Sequence, residues 1–458
     1  MDTLLLSRFQ FGFTLSFHIL FPTLTIGLAI FLAILEGCWL KTGNPEYKRH
    51  YQFWVKLFAL TFGVGVVSGI VLSYEFGTNF SRFSTAAGNV IGPLMSYEVL
   101  TAFFMEAGFL GVMLFGWNRV GPKLHYMATL LVALGTVMST FWILSANSWM
   151  QTPTGTVLRD GVFYPQDWWQ IVFNPSFPYR LVHMLLAALL STSLFIAGVS
   201  AWFLLRRREH AFAFRSLRIA IIAAAILAPL QILAGDQHGL EVEKYQPVKV
   251  AAMEGRWTTE AHAPLVLFAW PDVKTQSNKF ALEIPDAASL IIKHDAAGIV
   301  TGLDSVPSSQ WPNVPLVFYA FRVMVGLGVV MLLFAWFGLF FLFRRRTVLP
   351  TWFLRSAVCL IPAGFIATVA GWWVAEMGRQ PWIVYGLMRT ADASTPLSPD
   401  RVLSSLLAFV GIYTVVLWAY LYYMLKVIRK GPDDAIAPHP AAGSAAPARP
   451  AFGGVEDN

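Results

Sequence analysis

Of the 458 residues, 56% are hydrophobic and only 13% charged, with a mean hydropathy of +0.58, whereas about a quarter of the residues in soluble domains are charged. This balance excludes a soluble globular protein and leaves room for many bilayer spans of about 20 apolar residues each. The net charge of +7 and sequence pI of about 9.4 do not indicate nucleic acid, because the basic residues gather between apolar runs and form no aromatic-laced patch.

Apolar runs bounded by charge, Pro or Gly predict nine spans and hence an all-α polytopic bundle. The first, roughly 9–36, lacks a preceding basic segment and is longer than a signal-peptide core, so it reads as a retained helix. It carries His18 in TLSFHILFPTL. The second, roughly 53–74, has Lys56 near its start, either on a proton route or snorkelling to the interface. The third, roughly 93–117, places Glu98 and Glu106 eight residues apart, about two turns along neighbouring parts of one face. Two carboxyls at membrane depth suit a proton path better than packing. The fourth span, roughly 124–146, leads into SANSWMQTP.

The fifth span, roughly 180–205, carries His183 in YRLVHMLLAALL, and the sixth is roughly 216–235. Of the nine histidines, only His18 and His183 lie well inside apolar spans, where each needs either a metal or a hydrogen-bonding neighbour. A polar connection follows, from about 239 to 313, containing Glu241, Glu243, Lys244, Lys249, Glu254 and Arg256, long enough to fold over a bundle mouth. The seventh span, roughly 315–343, holds Arg322 and Met324. A buried guanidinium calls for a carboxylate or another anion unless it snorkels, and a thioether is either core packing or a soft iron ligand. The eighth, roughly 353–373, runs into GWWVAEMGRQPWIVYG, where Glu376 and Arg379 stand about one turn apart at an apolar boundary beside Trp372. The ninth is roughly 402–426.

Short-loop basic residues fall in five clusters on one side: Lys41, Lys48 and Arg49; Arg119 and Lys123; Arg206, Arg207, Arg208, Arg215 and Arg218; Arg344, Arg345, Arg346 and Arg355; Lys426, Arg429 and Lys430. That side is expected to be cytoplasmic, with the N-terminus and the long connection outside. Residues 1–430 read as one membrane domain and 431–458, rich in Ala, Pro and Gly, as a disordered cytoplasmic tail. The two cysteines, Cys38 and Cys359, lie far apart and suggest neither a disulfide scaffold nor a CxxC site.

In its N-terminal His helix, its two-glutamate third helix, SANSWMQTP, FRVMVG and GRQPW, the chain resembles subunit I of the cytochrome bd-type quinol oxidases over nearly its whole length outside the tail. The resemblance implies that His183 and Met324 ligate a low-spin haem b, and that His18 and Glu376 serve a high-spin pair, one haem b and the other haem d or a third haem b. Which of those two residues serves which haem stays open. It further implies that Glu98 and Glu106 lie on the proton route near the oxygen site, with Lys56 at its entry. Arg322 and Arg379 would stabilise haem charge, and Trp372 would pack near the high-spin pair.

The long connection would be the quinol loop, with Lys249 and Glu254 of KVAAMEGRW as quinol contacts. It lacks a long C-terminal insertion and so resembles the short-loop branch that includes cyanide-insensitive oxidases. The implied activity is quinol oxidation coupled to reduction of dioxygen to water, building a proton motive force without pumping. It would take place in the bacterial inner membrane, surrounded by lipid, beside a subunit II and with or without a small single-helix subunit. The competing readings are a secondary transporter, which would leave the His and Met placement unexplained, and a haem electron-transfer subunit without oxygen chemistry, which would not need His18 with Glu376.

Overall fold

The computed structural model describes residues 2–344 and 349–433; Arg345, Arg346 and the tail from residue 434 lie outside the described residues. Among the described residues nine helical segments are long and apolar enough to cross a membrane, one for each span expected from the sequence. Their ends run past the apolar cores because local capping continues them. In α1 (Thr3–Thr42), Asp2 accepts from the Leu4 amide, and Gly43, at φ 66°, closes the other end. In α2 (Pro45–Thr78), Asn44 caps and Pro45 occupies the first turn. The remaining long helices are α3 (Ser81–Phe115), α4 (Pro122–Gln151), α5 (Phe177–Leu205) and α6 (His210–Tyr245).

After α6 comes a short helix, α7 (Pro247–Glu254), followed by α8 (Val314–Phe343), α9 (Thr351–Met377, bent at Leu360–Pro362) and α10 (Pro399–Lys430). Three small antiparallel hairpins lie in the connections: β1–β2 (Thr156–Arg159, Val162–Pro165), β3–β4 (Leu265–Asp272, Ser277–Ile284) and β5–β6 (Trp382–Val384, Met388–Arg389).

The central element is α1, which packs against α2, α4, α5, α9 and α10. Its apolar face joins those of α2, α5, α6, α8 and α9 in one continuous core that includes Leu28, Leu32, Trp54, Leu194, Phe212 and Phe353. The two ends of the bundle keep their connections apart. Arg49 bonds Glu209 at 2.7 Å and the Asp433 carbonyl at 3.0 Å, while Arg208 bonds the Arg429 carbonyl, so the loops after α1 and α5 meet the end of α10. At the opposite end Thr395 meets Asn79 and Ser81, and Tyr385 meets Met150, joining the connections after α2, α4 and α9.

Two expectations need correction. The long connection does not begin near 239. The α6 helix continues to Tyr245, so Glu241, Glu243 and Lys244 are helical, and Pro247 forces the break that starts α7. Nor is α3 a uniform α-helix between its glutamates. Val99–Phe103 forms a π-helical turn, which inserts one residue into the register. Eight residues then correspond to about seven in phase, close to two full turns, so Glu98 and Glu106 share one face more fully than regular spacing would give.

Candidate functional site

Three of the expected iron ligands stand beside glycines of neighbouring helices. His18 lies against α2, with Nδ1 2.9 Å from Ser68 Oγ, and a Cβ at Gly69 would come within 3.1 Å of its ring. His183 lies against α6, with Nε2 3.2 Å from Gln231 Nε2, and a Cβ at Gly235 would approach its ring to 3.1 Å. Met324 lies against α9, where a Cβ at Gly371 would sit 2.9 Å from its sulfur. Side-chain-free backbone lets each of these groups pack directly against its neighbouring helix, which fixes where it stands.

The fourth, Glu376, closes α9 within a dense charged cluster. Arg379, one turn on, donates to it; Arg180 Nη2 is 3.8 Å away; and Gln151 Nε2 lies 3.3 Å from Oε1. Lys249 reaches in from α7, donating to Gln151 Oε1 at 2.7 Å and passing so close to Gly378 that a Cβ there would lie 2.7 Å from its Cγ. The Arg180 guanidinium sits 5.5 Å from the centre of the Trp372 ring. Glu241 adds a second carboxylate nearby, accepting from Ser176 at 2.6 Å.

Three cations therefore face two carboxylates, and Arg180 Nη1 and Arg379 Nε and Nη1 are buried without an acceptor. Buried guanidinium donors left in this state are costly unless an anion joins them. Burial, reinforced by Arg180, holds the Lys249 ammonium well below the ordinary lysine range.

Arg322 has a different setting. It donates to Glu254 Oε2 at 3.2 Å, to the Val266 carbonyl at 2.6 Å and to the Met253 carbonyl, and its guanidinium stacks 3.7 Å from the centre of the Phe318 ring. The anion it was expected to need is thus the α7 carboxylate. Burial pushes the Glu254 carboxyl up, with Arg322 pulling in the other direction. One short helix consequently touches both groups, through Lys249 at one end and Glu254 at the other.

Glu98 and Glu106 both face α4. Ser139 donates to Glu98 at 2.8 Å, and Gly135, one turn away, leaves room for Glu106, whose Cγ would lie 2.5 Å from a Cβ there. Lys56 stands apart at the basic end of the bundle, 2.6 Å from Asp433 and partly exposed.

Sequence reasoning passed over Arg180, although an Arg three residues before His183 in an apolar run carries the same signal that singled out Arg322. It also passed over two buried carboxylates. Glu36 accepts from Thr129 and contacts His125 Nδ1, both at 2.6 Å, so His125 too is buried inside the bundle. Glu75 accepts from Thr14 at 2.8 Å.

The unpaired guanidinium donors fit the propionates of haem, and the imidazole, thioether and carboxylate side chains are haem-iron ligand types. Fold and site define a multi-pass α-helical membrane protein suited to carry haem. The family model for cytochrome bd terminal oxidase subunit I matches residues 6–432. The chain is 34% identical to the cytochrome bd-II ubiquinol oxidase subunit 1 of Escherichia coli (strain K12), over 94% of this chain and 97% of that one. It is 37% identical to the cytochrome bd ubiquinol oxidase subunit 1 of Bacillus subtilis (strain 168), over 94% and 95%. Among solved structures it superposes on the bd oxidase from Geobacillus thermodenitrificans with a TM-score of 0.88 and 33% identity, covering 94% of this chain and 99% of that one. The chain belongs to the cytochrome bd terminal oxidase subunit I family. It is accordingly the catalytic subunit of a haem-dependent terminal oxidase, and the transporter and electron-transfer readings are set aside.

Proposed function

We propose that this subunit oxidises quinol beneath its long connection and delivers the electrons to an internal site where dioxygen is reduced to water. The observation that carries the reading is the position of α7. Glu254 pairs with Arg322, two residues from Met324, while Lys249 reaches through Gln151 to the Glu376 cluster. A headgroup bound at α7 would therefore lie next to both sets of candidate haem residues. Lys249 and Glu254 hold it, and Glu254 accepts a hydroxyl proton.

His183 and Met324 hold the low-spin haem b, and His18 and Glu376 serve the high-spin pair, of which one is haem b and the other haem d or a third haem b. Arg180 and Arg379 meet the propionates, and Trp372 packs beside them. When bound, these groups supply one-electron transfer and oxygen chemistry. Glu98 and Glu106 hold protons for water formation on the face shared with Ser139, and Lys56, paired to Asp433 at the basic end, lies at the entry to that route.

The basic clusters support a cytoplasmic position for that end, with the N-terminus and the α6–α8 connection outside the bacterial inner membrane. Quinol protons are then released outside and water protons drawn from inside, generating potential without pumping. The complex contains a subunit II, with or without a small single-helix subunit. The short connection supports kinship with the branch that includes cyanide-insensitive oxidases.

A dithionite-reduced minus air-oxidised visible spectrum of the purified complex tests this. Haem b bands are expected, with a far-red band if haem d is present, and Met324→Ala should alter the low-spin band alone. A folded, fully assembled complex without haem bands would contradict it.

A further inference from the structure

A groove of about 640 Å³ lies outside the charged site, between α1, α8, α9 and α10. Its lining is apolar throughout, including Leu20, Val323, Phe365, Ile366 and Leu421. The few polar atoms on its walls are already engaged by the protein. Tyr319 donates to the Ala269 carbonyl at 3.1 Å, Tyr420 meets Thr61 at 3.1 Å, and Trp373 donates to Ser16 at 2.9 Å. Such a surface recognises hydrocarbon and offers a polar ligand nothing.

The groove also adjoins the proposed quinol site through a shared residue. Ala320 in its wall packs with Ala251, Ala252 and Met253 of α7, and Tyr319 lies one turn from Arg322 on α8 and is bonded to β3. From there the lining runs along α9 from Trp373 to Phe365, eight residues or about 12 Å of helix, and on to Ile361 at the bend, well beyond the length of a headgroup. Quinol is an amphiphile, and a headgroup held at Lys249 and Glu254 must send its polyprenyl tail into a hydrocarbon-compatible space within reach.

We propose that this groove is the binding site for the polyprenyl tail of the substrate quinol. The inference rests on the quinol-oxidase reading above and specifies where the rest of the substrate lies. A bound tail would anchor the headgroup beneath the α6–α8 connection, so affinity for long-tailed quinol should exceed that for a tail-less analogue by more than membrane partition accounts for.

The test uses the purified holo-complex in lipid nanodiscs, with a long-tailed quinol and its tail-less analogue as substrates. Ile366 and Leu421 line the groove on α9 and α10, both largely exposed there and neither among the charged or iron-ligating residues. Ile366→Trp and Leu421→Trp should each raise KM for the long-tailed quinol about tenfold. Turnover of the tail-less analogue and the haem spectrum should be unchanged.

Equal effects on both quinols, or no effect on either, would overturn the proposal while leaving quinol oxidation standing. Loss of another subunit from the variant complexes would also overturn it, by showing that protein covers the groove. Failure of the unsubstituted complex to oxidise either quinol would instead remove the reading on which the proposal rests.

Discussion

The Arg322–Glu254 pair shows how one buried contact serves two demands. A guanidinium in an apolar helix needs an anion, and a carboxylate at the end of α7 needs a cation; their 3.2 Å contact meets both and fastens the connection to α8. Removing one partner of a buried pair typically costs about 3–5 kcal/mol, because the remaining charge is stranded. Arg322→Ala is therefore expected to loosen the α6–α8 connection, read as faster limited proteolysis, and to raise quinol KM at least tenfold. Arg322→Met combined with Glu254→Gln should restore protease resistance without restoring quinol oxidation. Recovery of both would make the pair structural only.

Glycine supplies a second residue-scale test. A valine at Gly371 would drive its Cβ to 2.9 Å from the Met324 sulfur and displace it. Gly371→Val is expected to shift the low-spin haem band and lower its midpoint potential, as loss of a thioether ligand does, with total haem content little changed. An unaltered low-spin spectrum would remove Met324 from the ligand set. The sequence made Met324 and Arg322 visible because polar or soft groups in an apolar run attract attention. It left Arg180 obscure, since that residue sits at a span boundary where an Arg ordinarily snorkels, and its contact with Glu376 joins positions nearly two hundred residues apart.

At the scale of the element, the π turn in α3 determines which way Glu106 points. Inserting an alanine after Phe103, where that turn ends, would advance Glu106 by about 100° and carry it away from Gly135 and α4. Oxygen consumption should fall at least tenfold with haem content retained, and full activity would exclude a shared proton face. Hydropathy could locate α3 but not its π turn, which depends on packing against α4.

The α6–α8 connection is likewise held by contacts that composition does not encode. Asp304 accepts from the Thr259 amide at 3.0 Å and its hydroxyl at 2.7 Å, and these bonds keep its carboxyl below the ordinary aspartate range. A lowered folded-state pKa stabilises above the unfolded value, so the contribution is complete at neutral pH and lost as pH falls below about 4. The protection factor of the Thr259 amide, its exchange relative to the intrinsic rate, should fall on acidification through that window, and in Asp304→Asn it should be low at neutral pH as well. Equal protection in both proteins would show that the contact does not hold the loop.

At the scale of the molecule, the nine spans found among the described residues were legible because membrane insertion imposes long apolar runs. The site was legible residue by residue but not as an arrangement. Gln151, Arg180, Lys249 and Glu376 come from four separate stretches, and only the folded bundle makes α7 the link between the Glu376 cluster and Arg322. Through that link, a headgroup at α7 feeds electrons into the bundle interior for oxygen reduction. The most direct test is to add reduced quinol to the purified, haem-loaded complex while following oxygen and quinone together. Steady oxygen uptake is expected, with two quinols oxidised per dioxygen and no peroxide left; a haem-replete complex that consumes no oxygen, or that accumulates peroxide in proportion to quinone, would contradict this role for α7.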